Sequence, residues 1–295
     1  MLAAAFLAHA AAARLTAQAD SGWTRPPRLA LLRNVPGNLA ASGREVVRPD
    51  NRLTLLGVAA ATGLLFAFDQ QIYDETVRAG RRWNVSPHHP EAALRVGGVK
   101  LIYVPTTVSS GLYYLGDGWT TMAVAGTYFA VGKFRGDNRA LRTASEITES
   151  MFALGVVTQL LKRATGRETP GGASEERGAW RPFTNLKEYA KNTPKYDAFP
   201  SGHLATAMAT VTVIAANYPD NPWVKPVGYS LMGACAFVMT NDGVHWASDY
   251  PLALLIGGTV GTVAARRGRP LGGTAAAARV EPLLSPTAVG LRARW

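Results

Sequence analysis

The sequence predicts an all-α protein: a helical bundle of about six core helices, transmembrane in character, preceded by one N-terminal helix. Two observations carry that prediction. Uncharged apolar runs recur at 53–68, 101–116, 118–132, 150–161, 202–219, 226–241 and 250–265, with Gly, Ala, Thr and Ser mixed among Val, Leu, Ile and Phe. None shows the strict alternation of a half-buried strand, so helices fit better. The chain is also charge-poor: 47% of its residues are hydrophobic and 17% charged, against about 25% charged in soluble domains.

Taken in order, residues 1–19 are Ala-rich and end in Ala17-Gln18-Ala19 before Asp20. That small-x-small ending resembles a signal-peptidase site, although the first basic residue is only Arg14. Residues 20–52 contain Pro26, Pro27, Pro36, Pro49 and six arginines, which reads as an irregular, solvated segment. A helical domain is expected over 53–269, and a Gly/Ala-rich tail without structure of its own over 270–295.

Most runs are at or just under the roughly 20 residues that span a bilayer, so a soluble bundle is a competing architecture. Charge placement favours the membrane. If the last six runs cross in turn, the loop at 133–142 (Lys133, Arg135, Arg139, Arg142) and the residues at 266–269 share one side. The positive-inside rule makes that side cytoplasmic, and segment 78–100, with Arg78, Arg81 and Arg82, is expected there too. The loops at 162–201 and 242–249 then face outward, toward the periplasm in a bacterial-type inner membrane.

The net charge of +11 does not point to nucleic acid, because the basic residues are scattered between apolar runs and not interleaved with aromatics. A single cysteine, Cys235, excludes an intrachain disulfide and a cysteine metal cluster. Mean hydropathy is +0.02, modest for a membrane protein.

Five histidines are present. His9 falls in the candidate signal, and His88 and His89 sit in a turn-like Ser-Pro-His-His-Pro stretch and read as exposed loop residues. His203 follows Pro200-Ser201-Gly202 at the start of an apolar helix. There Ser201 can cap the helix, Gly202 lets an anion approach the backbone, and the unpaired N–H groups favour phosphate. An ordinary Ser cap beside an incidental histidine fits the same residues.

His245 and Asp249 are four apart, so a helix would bring them within hydrogen-bonding reach. A carboxylate on one ring nitrogen fixes the tautomer and makes the other a better nucleophile. A structural His–Asp pair is the competing reading. Two histidines and one aspartate are a thin metal set, and no metal or cofactor is expected. Upstream, Lys162, Arg163 and Arg167 end a helix and supply cations suited to phosphate. The break at 163–200 is the longest between helices, and such loops are often functional.

Together these pieces resemble the type 2 phosphatidic acid phosphatase family, whose pattern is K-x6-R-P, then P-S-G-H, then S-R-x5-H-x3-D. Lys162 and Pro170 match the first motif, Pro200 to His203 the whole second, and His245 and Asp249 the end of the third. The resemblance covers about 150 residues, from roughly Trp119 to Ala265. It implies a metal-independent phosphatase in which His245 is the nucleophile, Asp249 orients it, and His203 is the acid. Lys162, Ser201 and Gly202 would hold the phosphoryl oxygens. The sequence departs from the pattern where the family arginines fall on Thr169 and Met239. Arg167 is then the expected substitute on the phosphate.

The function implied is hydrolysis of a phosphate monoester or pyrophosphate, with a phosphorylated lipid favoured over a small ester. Its alternatives are a soluble periplasmic acid phosphatase of the same family and a weakly catalytic phosphate- or phospholipid-binding membrane protein.

Overall fold

A computed structural model describes residues 23–85 and 107–267 in full, and the backbone of the strands Glu91–Val96, Val99–Val104, Arg279–Ser285 and Ala288–Arg294. The candidate signal at 1–19, with His9, and the pair His88 and His89 lie outside the described residues. Nine α-helices are found among the described residues: α1 (Ala30–Val46), α2 (Arg52–Arg82), α3 (Val108–Tyr113), α4 (Gly118–Arg135), α5 (Asn138–Thr165), α6 (Leu186–Lys191), α7 (Gly202–Asn217), α8 (Val224–Asn241) and α9 (Tyr250–Arg267). The fold is the expected all-α bundle, with α1, α2, α4, α5, α7, α8 and α9 as its long elements.

Local chemistry sets the helix starts. Asp117, Asp137 and Ser201 each accept a backbone N–H from the first turn of α4, α5 and α7, a contribution of about 1 kcal/mol per cap. The core then divides in two. Val124, Ala125 and Tyr128 of α4 pack with Ala140, Ala144 and Ile147 of α5 and with Val211 and Ile214 of α7. Nearer the other end, Leu204, Ala205 and Ala209 of α7 meet Ala253, Ile256 and Val260 of α9 and Met239 of α8. The α7–α9 pair is closest where Gly257 faces α7: a Cβ there would sit 2.2 Å from the Ala205 carbonyl oxygen.

Four expectations are corrected. Segment 20–52 is not irregular throughout, because α1 forms despite Pro36. Asn34 and Asn38, one helical turn apart, both donate to Glu149 of α5, and Val35 and Leu39 pack on the core. Tertiary contacts of one face thus outweigh a proline that the local sequence reads as a breaker.

The run at 101–116 is not one helix. Val99–Val104 pairs antiparallel with Glu91–Val96, and a helix resumes only at α3, started by a Thr107–Ser110 capping box. Pro105 and the β-branched residues before it explain the break. At the other terminus, Arg279–Ser285 and Ala288–Arg294 form a second hairpin within the segment expected to lack structure.

Segment 78–82 lies at the opposite end of the bundle from the loop at 133–142. Gly80 packs against Asn241, and Trp83 faces the Phe237 ring at 5.4 Å, so α2 finishes beside the C-terminus of α8. With 31 residues, α2 outruns the apolar segment that announced it.

One helical segment among the described residues, Pro49–Arg82, is long and apolar enough to cross a membrane, and only 6% of its apolar window is buried inside the protein. Leu53, Leu56, Leu64 and Phe68 on it are exposed, as are Phe129 and Phe134 on α4 and Phe152 and Leu160 on α5.

Candidate active site

Three helix ends converge: the C-terminus of α5 and the N-termini of α7 and α9. Ser201 is fully buried. Its side chain caps α7, accepting the Leu204 N–H at 3.4 Å, while its own N–H donates to the Asp249 carbonyl at 3.1 Å. The start of α7 is thereby tied to the start of α9. Lys162, in the last turn of α5, is buried and donates to Asp197 Oδ2 at 2.7 Å. Its Nζ lies 4.0 Å from where a Cβ on Gly202 would sit. An ammonium is thus aimed at the N–H end of α7, where the helix dipole also favours an anion. Gly166 lets the chain leave α5 in the left-handed region (φ 57°), where a side chain would strike the Arg181 carbonyl.

His203, on the first turn of α7, packs its ring against Tyr113 at 4.9 Å and faces the His245 ring at 6.5 Å, centroid to centroid. His245 Nδ1 is 3.3 Å from Asp249 Oδ2, and both residues are buried. The expected helix at this point is a loop followed by a 3-10 turn over Ala247–Asp249. The i, i+4 pair still meets, because Asp249 Oδ2 also accepts the Trp246 N–H at 2.8 Å and folds the turn around itself. Trp246 Nε1 donates to the Glu168 carbonyl at 2.8 Å, fastening this turn to the long loop.

Arg167 is brought to the site but not to its open side. It is fully buried; Nη1 donates to Asp249 Oδ1 at 2.6 Å and to Ser248 Oγ at 2.7 Å. Nη2 donates to Asp69 Oδ2 at 2.7 Å and to the Arg177 carbonyl at 3.0 Å. Phe66, Trp180 and Trp246 enclose the guanidinium. Both amino groups are engaged behind Asp249, so the expectation that Arg167 faces the phosphate does not match its position. The two family arginine positions are not open to solvent either. Thr169 is buried and its N–H donates to Pro194, while Val238 and Met239 are core residues.

Sequence reasoning missed Asp69 and Ser248. Asp69 is fully buried on α2 and accepts the Ser248 N–H at 3.0 Å, the Ser248 hydroxyl and Arg167. The available signal was a lone carboxylate immediately after the apolar run 53–68. Such a residue at the edge of an apolar helix face needs a partner.

The loop between α5 and α7 is internally cross-linked. Glu168 accepts Ser174 N–H at 2.8 Å, Ala179 N–H at 3.0 Å and the Arg181 guanidinium. Burial raises its carboxyl pKa, but these hydrogen bonds outweigh burial and hold it below the ordinary value. Tyr189 donates its hydroxyl to Asp197, the partner of Lys162. Burial, reinforced by that carboxylate, pushes its phenol pKa up, so it stays a donor. Among the described residues no group of three or more His, Cys, Asp or Glu side chains is arranged to hold a metal ion.

Residues 144–270 match the family model of the PAP2 superfamily. This stretch of the chain is similar to that family. It contains Lys162, the Pro200–His203 motif, His245 and Asp249, but not Asp69. The match supports a phosphatase-type function in general, chemistry on phosphate esters. Neither the curated proteins nor the solved structures gave a match.

Proposed function

We propose that the protein is a phosphatase of the PAP2 type, hydrolysing a phosphate monoester or pyrophosphate, carried on a lipid, through a phosphohistidine on His245. The observation that carries this reading is the pair of imidazoles, His203 on the first turn of α7 and His245 at 6.5 Å from it, the latter backed by Asp249.

With Asp249 on Nδ1–H, His245 presents Nε2 to phosphorus. As the N–P bond forms, the P–O ester bond breaks, and His203 gives its proton to the leaving oxygen. Water then attacks the phosphohistidine while His203 takes the water proton. The P–N bond breaks, inorganic phosphate departs, and His245 returns neutral. Lys162, Ser201 and the Gly202 N–H are the candidates for stabilising the phosphoryl oxygens. Arg167 would act on Asp249 rather than on phosphate.

A lipid is favoured by an apolar groove of about 530 Å³ between α2 and α9, lined by Leu55, Ala59, Phe66, Trp180 and Leu255. Phe199 and Ser248, each adjacent in sequence to the site, are also among its lining residues.

The test uses purified protein with phosphatidate, phosphatidylglycerol phosphate and an isoprenyl diphosphate. Phosphate release, with trapped label at His245 and none in His245→Ala, is expected. Release that continues unchanged in His245→Ala would rule the reading out.

A further inference from the structure

Asp69 lies on α2, outside the matched residues 144–270, and the steps above give it no role. Yet it closes a ring of hydrogen bonds. Its Oδ2 accepts from Ser248 Oγ and from Arg167 Nη2, and Arg167 Nη1 donates back to Ser248 Oγ and on to Asp249 Oδ1. All four side chains are fully buried. Burying ionised groups is unfavourable unless they are closely paired, and apolar residues of similar size commonly hold a fold as well. The ring therefore calls for a reason beyond packing.

Charge provides one. Arg167 alone on Asp249 would form a neutral pair, and a neutral pair gives little support to a histidine that becomes cationic. With Asp69 on the other amino group, two carboxylates share one guanidinium and the group keeps one net negative charge beside His245. We infer that Asp69 is a positioning residue for the phosphoryl-transfer site: the counter-ion that lets Arg167 clamp Asp249 without cancelling the charge Asp249 presents to His245. The inference rests on the proposed reading of His245 as the nucleophile. It makes α2 part of the site, although α2 lies outside the matched region.

The groups facing His245 define what a titration reads. Asp249 is 3.3 Å away; the His203 ring on α7 and the Tyr250 ring on α9 are at 6.5 and 6.3 Å. Asp69 on α2 and Arg167 reach it through Asp249, and the charge of Lys162 on α5 is countered by Asp197. Imidazole titration by NMR on the full-length protein, with the His245 signal assigned from its loss in His245→Ala, measures the coupling without turnover. Asp69→Asn should lower the His245 pKa by about one unit, and Arg167→Gln should raise it. The double variant, which restores one net negative charge, should return it close to the starting value. With p-nitrophenyl phosphate, Asp69→Asn should lower kcat about tenfold, the same free-energy difference as one pKa unit, with little change in KM.

An unshifted His245 in Asp69→Asn, or a double variant that stays at the single-variant value, would overturn the inference. Should Asp69→Asn fail to fold, the upward shift in Arg167→Gln and its reversal in the double variant carry the same test. If these shifts occur and no phosphohistidine can be trapped in the native protein, the charge coupling stands and the nucleophile reading alone fails.

Discussion

At His203 the role and the leaving group are linked. A general acid matters most when the departing oxygen is a poor leaving group and little when it departs without a proton. His203→Ala should therefore cut kcat on an alkyl phosphate by about 10²–10⁴-fold, and on p-nitrophenyl phosphate by clearly less. Equal losses on both, measured by phosphate release, would assign His203 to binding instead. Lys162 predicts a different pattern. Removing its charge-assisted contact with a phosphoryl oxygen should lose about 1.5–3 kcal/mol, read as a drop in kcat/KM with either leaving group. Met239 behaves as core, not as a lost ligand. Met239→Arg should destabilise the fold without raising activity, because the side chain is fully buried against Cys235; a gain in kcat/KM would contradict this.

Among the elements, the α5–α7 loop has its own electrostatics. The folded-state pKa of Glu168 is held below its ordinary value, so the stability it contributes is present above the unfolded carboxylate pKa. That stability is lost as pH falls through the folded one. Thermal melts of Glu168→Gln should show a lower Tm at neutral pH and a shallower fall of Tm on acidification than the native chain; parallel curves would remove Glu168 from the acid response.

How far the elements were legible follows from where their information lies. Helices α4, α5, α7, α8 and α9 showed as uncharged runs because their apolar residues, and the caps of the first three, are local, and Ser201-Gly202-His203 was legible for the same reason. By contrast, α1 depends on Asn34 and Asn38 reaching Glu149, 115 and 111 residues away. The strand Val99–Val104 looked like the start of a helix because a short apolar run carries no period of its own. In the site, His245 and Asp249 were found by a four-residue spacing, but Asp69 meets Ser248 across 179 residues. Arg167 was found as a cation and misplaced, since only the fold brings two carboxylates to it.

For the whole molecule, the question is which end of the bundle faces which compartment. The turn between α4 and α5 carries Lys133, Arg135 and Arg139, and Arg266 ends α9 beside Glu45. The site lies at the other end, where α2 also delivers Arg78, Arg81 and Arg82. Basic residues thus occupy both ends, and charge bias alone separates them less sharply than the loops read in isolation. Exposed apolar residues on α2, α4 and α5 are the surface that the proposed membrane placement would cover. Single-cysteine labelling decides orientation, since the native Cys235 is buried. In a bacterial host, a membrane-impermeant thiol reagent should label Glu176→Cys, on the exposed loop beside the site, in intact spheroplasts. Arg135→Cys should label only after lysis. Labelling of both before lysis, together with release of the protein by osmotic shock, would instead assign the chain to the soluble periplasmic form.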